Sequence, residues 1–324
     1  MQAGEPPLIA VVGPTASGKT AAGIALAERL NGEIISADAV AVYRGLDIGS
    51  AKPDADERRR AAFHLIDVAD PDEDFTLADF ERLANRAIEE VRGRGRTPIL
   101  VGGTGLYVRA VTATLTVPNV PPQEALRARL RAEAEEHGSA TLHTRLRMVD
   151  PEAAARILPG DAKRIIRALE VYEVTGRPLS SFHTPEGVHG VPKPNTIQFG
   201  LRTEHRETLY GRIEARVDAM LAAGFLDEVR ELLGRGYGSG FKSMQSLGYR
   251  HLLRHLVEGE PLDTVVAELK RDTRRYARRQ LIWFQGDPQV KWLELSAQDT
   301  AETVANRVIE QVYGNPSGGR PSDE

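Results

Sequence analysis

The chain has 324 residues, of which 41% are hydrophobic and 27% charged, and its net charge is −4 at neutral pH. This ordinary globular composition excludes collagen-like, wholly disordered and coiled-coil proteins, and the net charge gives no global indication of nucleic-acid binding. The sequence contains no cysteine, which excludes disulfides, a cysteine nucleophile and cysteine-ligated metals and favours a reducing, cytoplasmic location. We expect no membrane association, because no apolar run approaches the roughly 18 residues of a span and the opening MQAGEPP does not resemble a signal peptide.

Short apolar runs alternate with helical patterns in the N-terminal third of the chain. The predicted elements are, in chain order, a strand at 8–12, a helix at 21–30, strands at 33–36 and 64–67, a helix at 77–92 and a strand at 98–101. Strands that alternate with helices in this way are typical of a parallel sheet covered by helices. We therefore predict an α/β fold with a doubly wound parallel-sheet core.

The pattern changes after Pro118. Residues 121–176 are almost entirely helical in pattern, 183–195 indicate a loop, 197–201 a strand and 204–285 further helices. We predict that the α/β core occupies 1–120 and, in a largely helical second part, 191–314. A helical insertion domain is predicted at 121–190, and a disordered tail at 315–324.

The strongest motif is GPTASGKT at 13–20, which matches the phosphate-binding P-loop and stands between a predicted strand and a predicted helix. Its glycines allow the backbone to wrap an anion, while the amide groups and the helix N-terminus point at that anion. Lys19 adds a positive charge, and the Thr20 hydroxyl suits Mg²⁺. The alternative is a tight turn with a surface lysine. The motif predicts a di- or triphosphate site made by Gly13, Pro14, Thr15, Ala16, Ser17, Gly18, Lys19 and Thr20.

Polar side chains follow three of the predicted strands. Asp38, Asp67 and Thr104 stand at or just beyond strand ends, and the carboxyl ends of parallel strands line the ligand crevice of such a sheet. A carboxylate there can hold Mg²⁺ or accept a proton. Each also has a structural alternative: a turn or helix cap for Asp38 and Thr104, and a solvated acidic loop for Asp67.

Basic residues cluster in three places. Arg271, Arg275 and Arg279 lie four residues apart on a predicted helix, with Arg274 and Arg278 alongside. This stripe indicates either phosphate-backbone binding or an ordinary solvated face. A smaller patch contains Lys163, Arg164 and Arg167, and the pair Arg212 and Arg216 is spaced to hold a phosphate or an acid.

Seven segments, in this order, resemble the bacterial tRNA dimethylallyltransferases, also called tRNA isopentenyltransferases. They are GPTASGKT at 13–20, SAD with VYRGLDIGSAKP within 36–53, HLIDVADP at 64–71, GGTGLY at 102–107, DAKRIIRALEVYEVTGRPLS at 161–180, KSMQSLGYR at 242–250 and YARRQLIWF at 276–284. The P-loop alone is shared by many families, whereas the ordered set is specific and spans nearly the whole chain.

The resemblance implies transfer of a dimethylallyl group from dimethylallyl diphosphate to the exocyclic amine of an adenosine, with release of diphosphate. That adenosine lies 3′ of the anticodon in tRNAs that read codons beginning with U. The resemblance further implies that Asp38 is the base, Thr104 an orienting group, and Lys19 and Arg216 diphosphate ligands, with Mg²⁺ at Thr20, in a monomer. Arg212, one helical turn from Arg216, is the alternative for the arginine that contacts the diphosphate. The resemblance also implies contacts to the tRNA anticodon stem-loop from Asp38, Ala39, Val40, Ala41, Lys163, Arg164, Arg167, Gln245, Gly248, Tyr249, Arg250, Arg275, Arg278, Arg279 and Gln280.

The sequence departs from that family at two places. Ala39, Val40 and Ala41 stand where the family commonly has polar residues, and Gln285 replaces a basic residue. The first departure affects how the base is recognised and leaves Asp38 itself in place. Three alternatives remain on sequence grounds: a P-loop small-molecule kinase, a prenyltransferase for free adenine nucleotides, and a non-enzymatic RNA-binding protein.

Overall fold

The computed structural model describes residues 4–114, 118, 120–182, 190–296 and 298–314. The chain divides into two compact units, one formed by Met1–Thr112 and Pro192–Glu324, the other by Ala113–Val191. The predicted helical insertion at 121–190 falls within the second unit. The predicted tail at 315–324 and residues 183–189 of the predicted loop lie outside the described residues.

The strands of the described chain are mostly short. They are β1 (Leu8–Val12), β2 (Gly32–Ala37), β3 (Phe63–His64), β4 (Thr97–Gly102), β5 (Ala113–Thr114), β6 (Val191–Pro192), β7 (Thr196–Thr203) and β8 (Val290–Leu295). Six of them form one sheet in the order β3-β2-β4-β1-β7-β8, and all its neighbouring strands are parallel. This confirms the predicted parallel-sheet α/β fold. Strand β8 at the sheet edge was not predicted.

The helices of the first unit are α1 (Lys19–Leu30), α2 (Ala55–Arg60), α3 (Leu77–Gly93) and α4 (Gly105–Thr112), followed after the second unit by α9 (Arg206–Ala222), α10 (Phe225–Gly234), α11 (Tyr249–Leu253), α12 (Leu262–Gln285) and α13 (Ala301–Tyr313). The second unit contains α5 (Glu124–His137), α6 (Ser139–Val149), α7 (Pro151–Arg156) and α8 (Ala162–Thr175). None of the helices described here combines the length and apolar character needed to cross a membrane.

Apolar side chains cover both faces of the sheet, as a doubly wound fold requires. One core contains side chains of α1 and α13, including Leu26 and Val308, and the other contains side chains of α3 and α4, including Phe80 and Val108. A third core lies among α10, α11 and α12. The second unit has its own core between α5, α6, α7 and α8.

The predicted strand at 64–67 was wrong beyond its first residue. Strand β3 ends at His64, because Leu65 and Asp67 adopt left-handed backbone angles, with φ of 61° and 59°. Such angles are incompatible with a continuing strand. The segment instead turns, and Asp67 accepts a hydrogen bond from the ammonium group of Lys52 at 2.5 Å.

Glu33, at the start of β2, is a buried carboxylate with three basic partners. Arg94 and Arg96 donate to it at 2.7–3.0 Å, and His64 Nε2 lies 2.6 Å away. Burial raises the pKa of Glu33, but the hydrogen bonds from Arg94, His64 and Arg96 outweigh it and lower the pKa from 4.5 to about 2. The charged form therefore stabilises the fold above about pH 4.5, and this stabilisation is lost as the pH falls towards 2.

Glu33→Gln should lower the free energy of unfolding by about 2 kcal/mol at pH 7, because two arginines lose a charged partner. The difference from the parent should shrink as the pH falls below about 4.5. Urea denaturation across this range measures both effects. Glu90→Gln, which removes an exposed pair with Arg86, is the matched control and should change little. A pH-independent difference would contradict the assignment.

Candidate active site

The P-loop connects β1 to α1 and has the backbone that an anion cradle requires. Gly13, Ala16 and Gly18 have φ of 141°, 63° and 87°, so the chain reverses direction and its amide groups converge. A Cβ at Gly13 would lie 2.5 Å from the carbonyl oxygen of Leu201, which makes glycine necessary there. Helix α1 begins at Lys19, directly behind the loop.

A cavity of about 420 Å3 opens in front of this loop at the carboxyl ends of the strands. Lys19, Thr20, Asp38 and Arg216 all line it, so the structure brings together four residues that the sequence placed in one site. Arg212, the alternative to Arg216, is exposed and does not line this cavity. Lys52 and Glu57 line the cavity as well, so three cations stand beside two carboxylates and give it an excess positive charge that suits a polyanion.

The electrostatics of the cavity act on Lys19 most strongly. Burial and the neighbouring positive charge of Arg216 lower the pKa of Lys19 from 10.5 to about 7, although Asp38 acts in the opposite direction. Burial also lowers the pKa of Arg216, and the charges of Asp38 and Glu57 oppose that shift. The two partly buried cations thus repel each other across the cavity, which favours binding of an anion between them.

Asp38 both stabilises a turn and lines the cavity, so both sequence-based interpretations of this residue apply. Its Oδ1 atom accepts the amide groups of Val40 and Ala41 at 2.8 and 3.1 Å, which fixes a turn after β2. Its Oδ2 atom has no hydrogen-bond partner among the described residues. One oxygen therefore holds the backbone, and the other is available to a ligand.

A second cavity, of about 220 Å3, adjoins the first. Both are lined by Thr15, Asp38, Ser50, Arg216 and Tyr276, so Asp38 stands at their junction. The remaining walls of the second cavity are largely apolar and include Ala39, Val40, Ile213, Val217, Met220, Phe225, Leu247 and Leu269. The site thus offers a cationic chamber beside an apolar one.

A family model described as IPP transferase matches residues 41–287, and one described as isopentenyl transferase matches residues 6–68. The chain belongs to the IPP transferase family. It is 49% identical to a tRNA dimethylallyltransferase of Desulforudis audaxviator, covering 90% of this chain and 92% of that protein. It is 48% identical to that of Symbiobacterium thermophilum, covering 94% and 93%.

Solved structures agree with this assignment to the IPP transferase family. The tRNA isopentenylpyrophosphate transferase of Bacillus halodurans is 40% identical, with a TM-score of 0.69 and coverage of 94% of this chain and 95% of that one. A eukaryotic dimethylallyltransferase acting on tRNA is 26% identical, with a TM-score of 0.77 and coverage of 96% and 80%.

Two side chains of α12 reach into the site of this IPP transferase. Gln280 is buried, accepts the amide group of Thr15 at 2.8 Å and donates to the carbonyl oxygen of Gly103 at 2.9 Å. It therefore ties the P-loop to the loop after β4, and it also lines the phosphate cavity. The tRNA contact expected of Gln280 stays a prediction. Helix spacing places Tyr276 and Gln280 on one face, but it does not reveal these distant partners.

Tyr276 is a site residue that the sequence reasoning missed. It lines both cavities and hydrogen-bonds to Thr104, whose hydroxyl oxygen also accepts the amide group of Ala39 at 3.1 Å. Burial and the charge of Asp38 raise the pKa of Tyr276 to about 12, so its hydroxyl stays protonated. Thr104 itself lines neither of these two cavities, and its hydroxyl contacts the loop that carries Asp38. The orienting role expected of it stays a prediction.

The basic stripe of α12 is less uniform in charge than its sequence suggests. Ion pairs link Lys270 to Asp218, Arg271 and Arg275 to Asp272, and Arg274 to Glu214. Arg278 and Arg279 are exposed and have no acidic partner within the described part of the chain. Within the stripe, Arg278 and Arg279 are thus the members without an ion pair among the described residues, while Arg271 and Arg275 share the one carboxylate of Asp272.

The other predicted tRNA contacts divide into exposed and buried residues. Gln245, Arg250, Lys163 and Arg164 are exposed. Tyr249 is fully buried and donates to Glu228 at 2.7 Å, and the tRNA contact expected of it stays a prediction. Three further members are placed as follows: Gly248 is buried, Arg167 hydrogen-bonds to Glu170 and to the carbonyl oxygen of Val120, and Ala41 is buried against the first cavity.

Hydroxyl and carboxylate oxygens at the P-loop fit a Mg²⁺ ion shared with a phosphate ligand. Thr20 and Asp38 line the cavity, and the buried Ser17 Oγ has no hydrogen-bond partner among the described residues. No group of three or more His, Cys, Asp or Glu side chains with metal-binding geometry occurs in that part of the chain. Mg²⁺ characteristically takes few protein ligands together with phosphate oxygens and water.

Proposed function

We propose that the chain is a tRNA dimethylallyltransferase that uses dimethylallyl diphosphate as its donor. The acceptor is the exocyclic amine of the adenosine 3′ of the anticodon, in tRNAs that read codons beginning with U. The observation that carries the proposal is the meeting of Lys19, Arg216 and Asp38 in one cavity. The relatives named tRNA dimethylallyltransferase, each covering at least nine-tenths of this chain, support the same activity.

The P-loop binds the diphosphate of the donor in this proposal. Its amide groups, Lys19 and Arg216 stabilise the negative charge that develops on the diphosphate as the allylic carbon–oxygen bond breaks. A low-dielectric cavity makes each of these interactions stronger than in water. The chemistry asked of the loop is therefore leaving-group stabilisation, and no phosphoryl group is transferred.

Asp38 acts on the acceptor side. The amine nitrogen forms a bond to the allylic carbon, and Asp38 accepts the proton that the nitrogen gives up. The apolar cavity holds the flat adenine beside this carboxylate, out of contact with water. An unpaired anticodon-loop base is the kind of base that can be extruded at low cost.

Mg²⁺, held by Thr20 together with diphosphate oxygens, supplies further charge neutralisation when bound. The residues of the chain keep their own tasks: the P-loop positions the diphosphate, and Asp38 accepts the proton. Removal of divalent ions with a chelator should lower the transfer rate strongly, and added Mg²⁺ should restore it. A rate that is insensitive to chelation would exclude this part of the proposal.

The tRNA surface includes Arg278 and Arg279, which have no acidic partner in the part of the chain that the structure describes. Replacing both with Gln should weaken tRNA binding and lower the slope of log affinity against log salt by about 1–2. Arg271→Gln is the matched control, because Arg271 is already paired with Asp272 and Glu268 and should contribute less. Equal salt slopes for the parent and the double variant would show that these arginines lie on an ordinary solvated face and do not bind tRNA phosphates.

Prenyl transfer from radiolabelled dimethylallyl diphosphate tests the proposal directly. The reaction contains Mg²⁺ and an unmodified tRNA with adenosine 3′ of the anticodon, beside AMP and an ATP-hydrolysis control. Label on the tRNA alone is the expected result. Label on AMP would indicate the free-nucleotide prenyltransferase, and phosphate release from ATP without transfer would indicate the kinase. A cytoplasmic location and a monomeric state stay predictions.

A further inference from the structure

Glu228, near the start of α10, accepts hydrogen bonds from three successive backbone amide groups of a segment distant in sequence, residues 47–49. Its Oε2 atom accepts the amide groups of Asp47 and Ile48 at 3.0 and 2.6 Å, and its Oε1 atom accepts that of Gly49 at 3.2 Å. The hydroxyl of Tyr249 donates to Oε1 at 2.7 Å. Consecutive amide groups that converge in this way form a natural binding site for an anion, and here a carboxylate of the chain fills it.

The segment that Glu228 holds forms a wall of the site. Gly49 and Ser50 line the apolar cavity, and Ser50 and Lys52 line the phosphate cavity. A Cβ at Gly49 would collide with the rings of Phe225 and Tyr249, so the backbone lies directly against these two aromatic residues.

The opposite side of the segment is held by Lys52. Its buried ammonium group binds Asp47 and Asp67 at 2.6 and 2.5 Å and the carbonyl oxygen of Tyr43 at 2.7 Å. The segment 47–52 is therefore fixed from two sides, by Lys52 from within and by Glu228 from α10.

We propose that Glu228 is a positioning residue for the transfer reaction, because its carboxylate fixes the wall that the two cavities share. The inference rests on the proposed function. Loss of the carboxylate should let the wall move relative to Asp38 while the P-loop continues to bind diphosphate. The expected signature is a lower kcat with a nearly unchanged KM for dimethylallyl diphosphate.

Glu228→Gln tests this in the whole chain. The side-chain NH2 group of glutamine is a donor, so it cannot accept the backbone N–H groups that the carboxylate accepts. We expect kcat to fall on the order of tenfold to a hundredfold, as for a small misplacement of reacting groups. Hydrogen exchange at Asp47, Ile48 and Gly49 should become faster. Glu231→Gln, one turn further along α10 and exposed, is the matched control and should change neither quantity.

The outcomes separate the alternatives. A purely structural role would lower the melting temperature and leave kcat unchanged well below it, which would overturn the proposal, as would unchanged exchange. If Glu228→Gln does not fold, Tyr249→Phe replaces it: loss of one hydrogen bond should lower kcat about fivefold, and an unchanged kcat would contradict the inference. A parent protein without prenyl transfer would overturn the proposed function itself, and with it this role, whatever the exchange rates.

Discussion

Asp38→Asn should lower the turnover of prenyl transfer by about a hundredfold to ten-thousandfold, the usual range for loss of a general base. The amide cannot accept the proton that the adenine amine releases. Its oxygen can still accept the amide groups of Val40 and Ala41, so the turn after β2 should persist. Affinity for tRNA and the melting temperature should therefore stay close to those of the parent. Single-turnover kinetics with saturating tRNA measure the chemical step.

Glu57→Gln is the matched control for this substitution, because Glu57 is a second carboxylate that lines the phosphate cavity. It caps α2 through its contact with the amide group of Asp54, a contact that glutamine can preserve. Near-parental turnover in this variant would show that the effect belongs to Asp38 and not to the charge of the cavity. Unaltered turnover in Asp38→Asn would show that Asp38 is not the general base of the reaction.

Local sequence predicted the part of the site that depends on local chemistry. The P-loop was visible because a buried strand, a glycine turn and a helix follow one another in one short segment. Asp38 was visible because a parallel sheet places the carboxyl ends of its strands at one edge. The family resemblance indicated Arg216, with Arg212 one turn away as the alternative, and only the structure shows that Arg216 is the one that lines the cavity.

Residues whose roles depend on distant partners could not be predicted in this way. Gln280 meets Thr15 and Gly103 across 265 and 177 positions of the chain, and Glu228 meets Ile48 across 180. Their sequence neighbourhoods indicate only amphipathic helices. Arg274 shows the same limit, since its partner Glu214 lies on another helix and the stripe looked uncompensated in sequence.

Backbone conformation accounts for the error in the predicted strand at 64–67. The run His64 to Asp67 is apolar enough for a strand, but Leu65 and Asp67 take positive φ angles, which non-glycine residues adopt only when the surrounding structure holds them. Here Lys52 and Arg58 hold Asp67 from two directions, at 2.5 and 3.2 Å. These strained backbone angles lie beside the wall of the phosphate cavity, which Ile66 lines. There, tertiary contacts override the preference of the local sequence for a strand.

Diphosphate binding should depend on pH through Lys19. The pKa of this ammonium group is about 7 in the free site, and a bound diphosphate should raise it by favouring the charged form. Below pH 7 Lys19 is already protonated, so binding needs no proton. Above pH 7 binding must take up a proton, and affinity should fall up to about tenfold per pH unit. Titration calorimetry with inorganic diphosphate and Mg²⁺ measures this dependence. The useful range is about pH 7.5–9.5, because it lies between the lowered pKa of Lys19 and its ordinary value.

Buffers with different ionisation enthalpies give the number of protons directly, with about one expected well above pH 7. Lys19→Arg provides the control, because a guanidinium stays charged throughout this range and should bind diphosphate with a flatter pH profile. An equally steep profile in that variant would assign the proton to another group, such as the ligand itself. A flat profile in the parent would mean that Lys19 is already charged before diphosphate binds. Burial and the charge of Arg216 would then lower the pKa of Lys19 less than the structure implies.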